Sequence, residues 1–301
     1  MPPIPPPRTL GFTSTTEVPL FWCAYGVEDG ERLVVLHGGP GAHHDYLLPQ
    51  MLQLAAPQGI ESRDILFYDQ RGGGRSRAES REREGEVTWQ THVRDLAQVV
   101  DELAVRPLTI VGYSWGGLLA LLYAREAAAG RVKANPSRLV LVDPGPVARR
   151  YRLEFEREFA RRQAGPAIQA LRRELDDSKL RERDLEAYRH RSFELSVAGY
   201  FADPRKARDL TPFRVTGRIQ QSVWESLGDY DLLADAVFRS IRVPTLIVHG
   251  RQDPIPLASS EECTSALHAR LVVLDECGHV PYVEQPVALF RAIEEFLASK
   301  S

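Results

Sequence analysis

Apolar segments that end in glycine-rich or proline-containing turns, and that alternate with helical patterns, most constrain the fold of this chain. These segments are apolar throughout, which indicates strands buried on both faces of a sheet. Helical periodicity separates several of them, as in the apolar positions that recur every three or four residues from Trp89 to Leu103. The segments are 32–41, 64–76, 107–114, 138–146, 243–250 and 269–279. The sequence therefore predicts an α/β fold, with a mainly parallel central sheet and helices on both of its faces.

The middle of the chain has a different character and predicts a helical insertion. Strand patterns stop there, and arginine and glutamate become frequent. Tyr151, Phe155 and Phe159 form an apolar stripe at helical spacing. Charged helices with one apolar stripe are typical of a solvated surface rather than of a polyanion site. The predicted core comprises 1–146 and 238–301, and the predicted helical cap comprises 147–237.

Composition argues against several classes of function. Of the 301 residues, 43% are hydrophobic and 26% are charged, which is ordinary for a globular protein. A net charge of −3 provides no general attraction to nucleic acid or to an anionic membrane, so neither is expected as a partner. The sequence contains neither C-x-x-C nor H-E-x-x-H, and we expect no metal or other cofactor.

Cysteine usage and the N-terminal residues bear on the compartment. Cys23, Cys263 and Cys277 are odd in number and far apart, which argues against a disulfide framework and favours a reducing compartment. The N-terminal MPPIPPPRTL is rich in proline and lacks an apolar stretch, which favours an extended polyproline arm over a secretory signal. No apolar run approaches the ~20 residues of a membrane helix. We therefore expect a cytoplasmic protein.

One serine lies between glycines where a strand pattern passes into a helical one. The stretch 111–117 reads VGYSWGG, in which Gly112, Ser114 and Gly116 match G-x-S-x-G. This pattern alone is weak, and a plain turn in which Ser114 caps the helix is the alternative. The preceding strand and following helix are what a nucleophile elbow requires, because its sharp turn lifts the hydroxyl above the sheet edge. Ser114 is the predicted nucleophile.

A serine nucleophile needs a general base, and the chain has eight histidines. His279 follows the last strand segment and precedes the last helix, so we expect it at the same sheet edge as Ser114. Other histidines fall within helical patterns, within the insertion or at a strand end where packing accounts for them. These are His92, His268, His190 and His249. His279 is the predicted base.

The base needs a carboxylate that fixes its tautomer. Asp253 follows a strand segment and is separated from His279 by one helix and one strand, so their two loops can meet at one edge. Asp143, at the end of the preceding strand segment, is the rival acid. Asp275 and Glu276 are closer to His279 in sequence but fall on the strand end, and we expect them to point elsewhere. The chain order of serine, aspartate and histidine is that of α/β-hydrolases.

Acyl transfer also needs amide donors for the oxyanion. Trp115, directly after the nucleophile, is one predicted donor. The other is expected from HGGPG at 37–41, where Gly39 is preferred to Gly38. This loop lacks the lysine and spacing of the phosphate-binding sequence G-x-x-x-x-G-K-[ST]. RGGGR at 71–75 likewise fails G-x-G-x-x-G and is predicted to be a structural loop.

Motifs along the core together resemble one family. The motifs are HGGPG at 37–41, DQRGGGRS at 69–76, GYSWGG at 112–117, GRQDPIP at 250–256 and GHVPYVEQP at 278–286. In this order they resemble the proline iminopeptidases, a family of α/β-hydrolases that includes the tricorn-associated aminopeptidases. The resemblance covers about residues 17 to 298 and is weak in the insertion. It implies a helical cap, removal of N-terminal residues from short peptides, and often a preference for proline. It also implies the triad Ser114, Asp253 and His279, with Gly39 and Trp115 as oxyanion donors.

The chain departs from this family at the site for the substrate ammonium. Aminopeptidases of the family hold that group with carboxylates of the cap, and some members add an acid beside the triad aspartate. Here Pro254 follows the aspartate, and Gln220 and Gln221 stand where a cap acid is expected. Glu225 and Glu194 are possible substitutes. Trp224, Tyr200 and Phe201 are candidates either for the pocket wall or for the core of the cap.

These observations predict a serine hydrolase that forms an acyl-serine intermediate on a short peptide or another small molecule. Removal of N-terminal residues is favoured. The alternative is an esterase, lactonase or amidase for small neutral acyl compounds. A ligand receptor on the same fold would be expected to lack part of the triad, whereas all three positions are filled. Epoxide hydrolases and dehalogenases are disfavoured because they have an aspartate where this chain has Ser114.

Overall fold

The protein is described by a computed structural model over residues 4–56, 62–78 and 85–299. The described residues include one eight-stranded sheet with the order β1-β2-β4-β3-β5-β6-β7-β8. The strands are β1 (Thr9–Phe12), β2 (Phe21–Gly26), β3 (Glu31–Leu36), β4 (Arg63–Tyr68), β5 (Leu108–Tyr113), β6 (Pro136–Val142), β7 (Thr245–Gly250) and β8 (Arg270–Leu274). Each strand segment expected from the sequence overlaps one of β3 to β8, and β3, β4 and β6 begin one or two residues earlier than expected.

Strand direction divides the sheet into two parts. Strands β3 to β8 pair in parallel, as the apolar segments predict. β1 and β2 add an antiparallel edge, because β2 pairs in that sense with both β1 and β4. These two strands were not foreseen: β1 has only four residues and exposes Leu10 and Phe12, so it lacks a buried apolar run. Residues 1–3 of the expected polyproline arm lie outside the described residues.

Helices of the core pack on the two sheet faces. They are α1 (Leu48–Met51), α2 (Trp89–Glu102), α3 (Trp115–Ala128), α9 (Ala236–Arg239), α10 (Leu257–Leu267), α11 (Pro281–Glu284) and α12 (Pro286–Ala298). Along β3, Val34 and Leu36 pack with α2 and α3, whereas Leu33 and Val35 pack with α1 and α12. Successive strand residues point to opposite faces, so strands that are apolar throughout bury both faces of the sheet.

In its described residues, the insertion between β6 and β7 consists of helices joined by loops, with an isolated bridge between Ala148 and Asp231. Its helices are α4 (Arg149–Gln163), α5 (Pro166–Asp177), α6 (Leu180–Arg183), α7 (Leu185–Val197) and α8 (Gly217–Leu227). The amphipathic α5 buries Ile168, Leu171 and Leu175. The division of the chain into core and cap stays a prediction.

Two further observations concern compartment and membrane. Cys23, Cys263 and Cys277 are all buried and free. Among the described helices, none combines the length and apolar character needed to span a bilayer.

Candidate active site

Ser114 lies at a sharp turn between β5 and α3, directly after Tyr113 and directly before Trp115. Its backbone has φ 53° and ψ −120°, a conformation that residues other than glycine seldom adopt. Its carbonyl oxygen accepts hydrogen bonds from the amides of Gly117 and Gly145, which hold the turn on both sides. The turn has the geometry of a nucleophile elbow.

The glycines around Ser114 are required by close backbone contacts. A Cβ atom on Gly112 would overlap the carbonyl oxygen of Gly116, and one on Gly116 would overlap that of Leu36. A Cβ on Gly38 would come within 2.9 Å of the Cβ of Ser114. Helix, elbow and neighbouring loop therefore pack backbone against backbone, which explains the paired glycines in the sequence.

His279 lies after β8 and reaches the elbow with its ring. Its Nε2 is 2.9 Å from Ser114 Oγ. The ring lies between Tyr200 and Tyr113, with centroid distances of 5.1 and 5.4 Å. Its backbone is held as well, since its amide donates to the Tyr200 carbonyl and its carbonyl accepts from the Tyr113 hydroxyl. The imidazole therefore has a defined position and orientation.

Asp253 lies after β7 and completes the arrangement. Its Oδ2 is 2.7 Å from Nδ1 of His279, and its Oδ1 accepts from the amide of Ile255 at 2.7 Å. Nδ1–H thus donates to the carboxylate, which leaves Nε2 free to accept the Ser114 proton. Asp275, by contrast, is exposed and pairs with Arg251. The structure brings Ser114, His279 and Asp253 together in the order in which serine hydrolases activate an alcohol.

Burial sets the protonation state of the imidazole. His279 is 5% exposed, and desolvation lowers its pKa to about 4. A neutral imidazole is the form that can accept a proton from a serine hydroxyl.

Asp143, the rival acid, lies behind the triad carboxylate at the end of β6. It is completely buried, and its Oδ1 accepts from the amide of Gly250 at 2.8 Å. Its Oδ2 has no donor while both carboxyls are ionised. Burial and the charge of Asp253 raise the pKa of Asp143 well above its ordinary value, and burial raises that of Asp253 to about 7. We therefore expect the two carboxyls to share one proton, which would give Oδ2 of Asp143 a partner.

Three buried side chains in the same region carry atoms that can ligate a metal. Asp143, His249 and Asp253 place possible ligand atoms within 4.8 Å of one another. Both ring nitrogens of His249 already have partners, however: Nδ1 is 2.9 Å from Ser260 Oγ, and Nε2 is 3.2 Å from the Ile255 carbonyl. Hydrogen bonds account for the cluster, so we do not identify it as a metal site.

Two backbone amides beside Ser114 are candidates for holding an oxyanion. Trp115 is the first residue of α3, where an amide has no partner within the helix and the helix dipole favours negative charge. Gly39 has φ 59° and lines the cavity around Ser114. The amide of Gly38 donates instead to the hydroxyl of Tyr46 at 2.8 Å. This hydrogen bond accounts for the preference for Gly39 over Gly38.

Gln70 links the two sides of this oxyanion site, which the sequence did not reveal. Its side-chain amide donates to the His37 carbonyl at 2.8 Å and accepts from Nε1 of Trp115 at 2.7 Å. Gln70 is 1% exposed and follows β4, whose register places it beside the oxyanion loop. Gln70 belongs to DQRGGGRS at 69–76, a motif of the family resemblance, but nothing in that motif indicates which of its residues contacts the oxyanion loop.

A buried ion pair fixes the far end of the oxyanion loop. The backbone amide and Nδ1 of His44 both lie within hydrogen-bond distance of Asp69 Oδ1, at 2.9 and 2.7 Å. Burial alone would lower the pKa of His44, but the hydrogen bond to Asp69 raises it to about 9. His44 is therefore cationic at neutral pH, and a charge-assisted hydrogen bond holds the loop.

The cavity above Ser114 is enclosed mainly by aromatic side chains and has a volume of about 400 Å³. Phe155 and Phe159 of α4, Phe193 of α7 and Trp224 of α8 contribute walls from the insertion. Apart from the triad residues and tyrosine hydroxyls, polar side chains enter at Ser196 and Gln220. Among the described residues that line this cavity, none is an aspartate, glutamate, lysine or arginine.

The other predicted substrate-binding residues are placed differently. Gln220 and Trp224 line the cavity, as does Tyr200. Glu194 faces a separate surface cavity, where it pairs with Arg191 and lies 3.0 Å from His190. The exposed Glu225 accepts from Gln221 at 2.7 Å. Phe201 is buried in the core packing, and neither glutamate reaches the cavity wall.

Fold and site define an α/β-hydrolase with a serine, histidine and aspartate at the carboxyl ends of its parallel strands. The family model described as alpha/beta hydrolase fold matches residues 31–286. The chain belongs to this family, and the predicted fold class is confirmed.

Known relatives confirm the resemblance seen in the motifs. The chain is 25% identical to the proline iminopeptidase of Lactobacillus delbrueckii subsp. bulgaricus, across 90% of this chain and 91% of the relative. The proline iminopeptidase structure from Mycobacterium smegmatis has a TM-score of 0.64 at 18% identity, covering 97% of this chain and 100% of the other. An esterase from Exiguobacterium antarcticum has a TM-score of 0.65 at 21% identity, covering 94% and 96%. At these identities the two structures show a shared fold.

Proposed function

We propose that the protein is a serine hydrolase that cleaves esters or amides of uncharged, largely apolar acyl groups through an acyl-serine intermediate. The observation that carries this proposal is the cavity wall: aromatic and aliphatic side chains enclose the serine, and its described lining residues include no aspartate, glutamate, lysine or arginine. A closed apolar cavity with a few convergent polar groups is typical of a site for small molecules.

In this mechanism His279 takes the proton of Ser114 as the hydroxyl attacks the acyl carbon. The 2.9 Å contact between Nε2 and Oγ allows direct transfer. Asp253, hydrogen-bonded to Nδ1, stabilises the imidazolium that forms. The amides of Gly39 and Trp115 hold the oxyanion. The imidazolium then protonates the leaving alkoxide or amine. In the second half, His279 takes a proton from water as the water attacks the acyl-serine, and it returns that proton to the Ser114 oxygen as the acid leaves.

The uncharged wall argues against a substrate that must place its ammonium in this cavity. Removing an ammonium from water without an opposite charge is costly. Glu194 and Glu225, the carboxylates expected to supply that charge, lie elsewhere. The ester and amide alternative therefore takes precedence over removal of N-terminal residues.

Aminopeptidase activity of the proline iminopeptidase type is the second candidate. It is supported by the similarity to a proline iminopeptidase over 90% of this chain. The amide of Gln220 and the hydroxyl of Ser196 are polar groups of the cavity wall that could accept hydrogen bonds from a substrate amine.

A pair of matched anilides separates the two candidates. L-Prolyl p-nitroanilide and cyclopentanecarbonyl p-nitroanilide have the same shape and leaving group, but only the first carries an ammonium. We expect higher kcat/KM for the cyclopentane compound, with p-nitrophenyl butyrate as a more reactive ester standard. A clear preference for the prolyl compound would favour the aminopeptidase and overturn our assignment.

The serine mechanism has its own test. Ser114→Ala removes the nucleophile while leaving the elbow backbone in place, so kcat is expected to fall by several orders of magnitude with little change in melting temperature. A fluorophosphonate probe should label the wild-type protein at Ser114 and leave the variant unlabelled. An active Ser114→Ala variant would contradict the acyl-serine mechanism, and a wild-type serine that resists labelling would favour a ligand receptor.

A further inference from the structure

A second, larger cavity adjoins the one above Ser114. It has a volume of about 1000 Å³. Phe193, Phe213 and Val215 line both cavities. The rings of Phe193 and Phe213 meet edge to face at 5.4 Å, so a pair of aromatic side chains stands at the boundary. The two cavities thus share one largely aromatic wall.

One face of α7 runs along both cavities and sets the distance between them. Arg189 lines the second cavity, Phe193 lines both, and Ser196 lines the cavity of Ser114. These residues recur at three- and four-residue steps, as expected for a single helix face. At 1.5 Å per residue, Arg189 lies about 10 Å along the helix from Ser196.

The two cavities differ in charge. Arg77, Arg189 and Arg214 line the second cavity from three separate parts of the chain, and Glu186 is the only acidic residue among its described lining residues. Within the described part of the chain, these three guanidinium groups have no carboxylate partner. Arg191, one turn along α7, does pair with Glu194. The cavity thus presents an excess of positive charge in a chain whose net charge is −3.

We propose that the arginine-lined cavity binds an anionic group, a carboxylate or a phosphate, carried at the distal end of the substrate that is cleaved at Ser114. This inference rests on the proposed function and narrows its substrate class to amphiphilic anions. The apolar part of the substrate fills the aromatic cavity, and the anionic end lies beyond Phe193 and Phe213.

Guanidinium chemistry supports an anion at this position. Arginine binds carboxylate and phosphate groups through two parallel hydrogen bonds, and it is always charged in proteins. Among the residues that the structure describes, these three arginines have no carboxylate partner, so an incoming anion meets solvated donors rather than an existing ion pair. The arginines are exposed, and the attraction should therefore weaken with salt.

Matched esters test the proposal directly. p-Nitrophenyl hydrogen suberate carries a terminal carboxylate, and its methyl ester is the neutral counterpart. The p-nitrophenyl ester of an ω-phosphonooctanoate supplies the phosphate-like arm and separates the two anion types. A second pair places the anion on the leaving group: octanoyl esters of 4-hydroxyphenylacetate and of its methyl ester. We expect kcat/KM to favour the anionic member of at least one pair by about tenfold at low salt, with the preference shrinking as salt is added.

Substitutions in the arginine-lined cavity test whether this cavity causes the preference for anionic esters. The triple variant Arg77→Gln, Arg189→Gln and Arg214→Gln should lose the preference while retaining hydrolysis of the neutral esters. Glu186→Gln removes the opposing charge and should increase the preference. Arg291→Gln, an exposed position on α12, is the matched control and should leave the preference unchanged.

The outcomes distinguish failure of this proposal from failure of the proposed function. Equal turnover of anionic and neutral esters at low salt by the wild-type protein would overturn the anion site while leaving the hydrolase intact. Turnover of neither member would overturn the proposed function and the inference that rests on it. Should the triple variant fold poorly, the preference for the anionic ester is measured in the three single variants and in the wild type at increasing salt. A preference that none of these changes reduces would overturn the anion site.

Discussion

Replacement of Asp143 by asparagine tests the proton shared behind the triad. Asparagine keeps the shape of the side chain. Its carbonyl can accept from the Gly250 amide, as Asp143 Oδ1 does at 2.8 Å, and its NH₂ group can donate to Asp253. The variant therefore replaces the shared proton by a permanent donor that does not titrate.

The expected effect is a change in how stability depends on pH. Because the pKa of Asp143 is raised in the folded state, the native protein holds a proton that the unfolded chain loses above the ordinary value of 3.8. Wild-type stability therefore falls as pH rises above that value, by about 1.4 kcal/mol per pH unit for one proton. Asp143→Asn removes this slope, so its advantage over the wild type should grow by about 3 kcal/mol between pH 5 and pH 7.

Denaturant unfolding at several pH values measures this difference, because other titrating groups contribute equally to both proteins. Asp143→Asn should retain kcat within about tenfold, since Asp253 keeps a donor. Asp143→Leu, of similar volume, leaves the Gly250 amide unpaired and should cost about 1–3 kcal/mol at low pH. A difference between Asp143→Asn and wild type that stays constant with pH would show that both carboxyls are ionised in the native state, and would refute the shared proton.

Three further predictions concern the surroundings of the nucleophile. Gly116→Ala should destabilise the protein by about 1–3 kcal/mol or more in thermal unfolding, because its Cβ overlaps the Leu36 carbonyl. Gln70→Leu leaves the His37 carbonyl and Nε1 of Trp115 without this partner, which costs about 1–3 kcal/mol of stability each. The same variant should lower kcat by ~10²-fold if Gln70 positions the oxyanion donors, and an unchanged kcat would exclude that role. The His44–Asp69 pair should contribute fully between pH 3.8 and pH 6.5, and its contribution should vanish as pH rises through about 9 or falls through about 2; His44→Asn should abolish the alkaline loss in unfolding experiments.

The parallel part of the sheet was predictable because burial on both faces leaves a simple trace in sequence. β3 to β8 are short apolar runs, and the turns after them carry the glycines that the backbone requires. β1 and β2 were not predictable in the same way. An edge strand such as β1 is half exposed, and its pairing with β2 is decided by long-range contacts rather than by local pattern.

The positions of Ser114, Asp253 and His279 were predictable for a related reason. Each follows the carboxyl end of a parallel strand, and such ends meet at one edge of the sheet. Asp143 shares that property, which is why it remained a rival. The register of β6 and β7 places Asp143 behind Asp253, next to the Gly250 amide. The order of the residues along the chain does not reveal that Asp253, and not Asp143, contacts His279.

The sequence does not predict which cap residues face Ser114, because the cap helices carry charged residues on most sides. Glu194 is a candidate in the sequence because the family resemblance implies a cap carboxylate that holds the substrate ammonium. In the structure it is 6% exposed and is neutralised by Arg191 on its own helix. The rotation of α7 about its axis decides which residues face Ser114, and that rotation depends on packing against α5 and the core. A shift of one residue along a helix turns a side chain by about a quarter of a turn.

The proposed chemistry and the proposed specificity therefore depend on different parts of the molecule. The elbow, the oxyanion loop and Gln70 are held by backbone contacts and buried hydrogen bonds of the core, which tolerate little change. Part of the cavity wall comes from α4, α7 and α8, which contribute packed aromatic side chains. Volume-conserving changes in such packing usually cost less than ~1.5 kcal/mol. It follows that substitutions at Phe155, Phe159 or Trp224 should alter the ratio of kcat/KM between acyl groups while fluorophosphonate labelling of Ser114 persists.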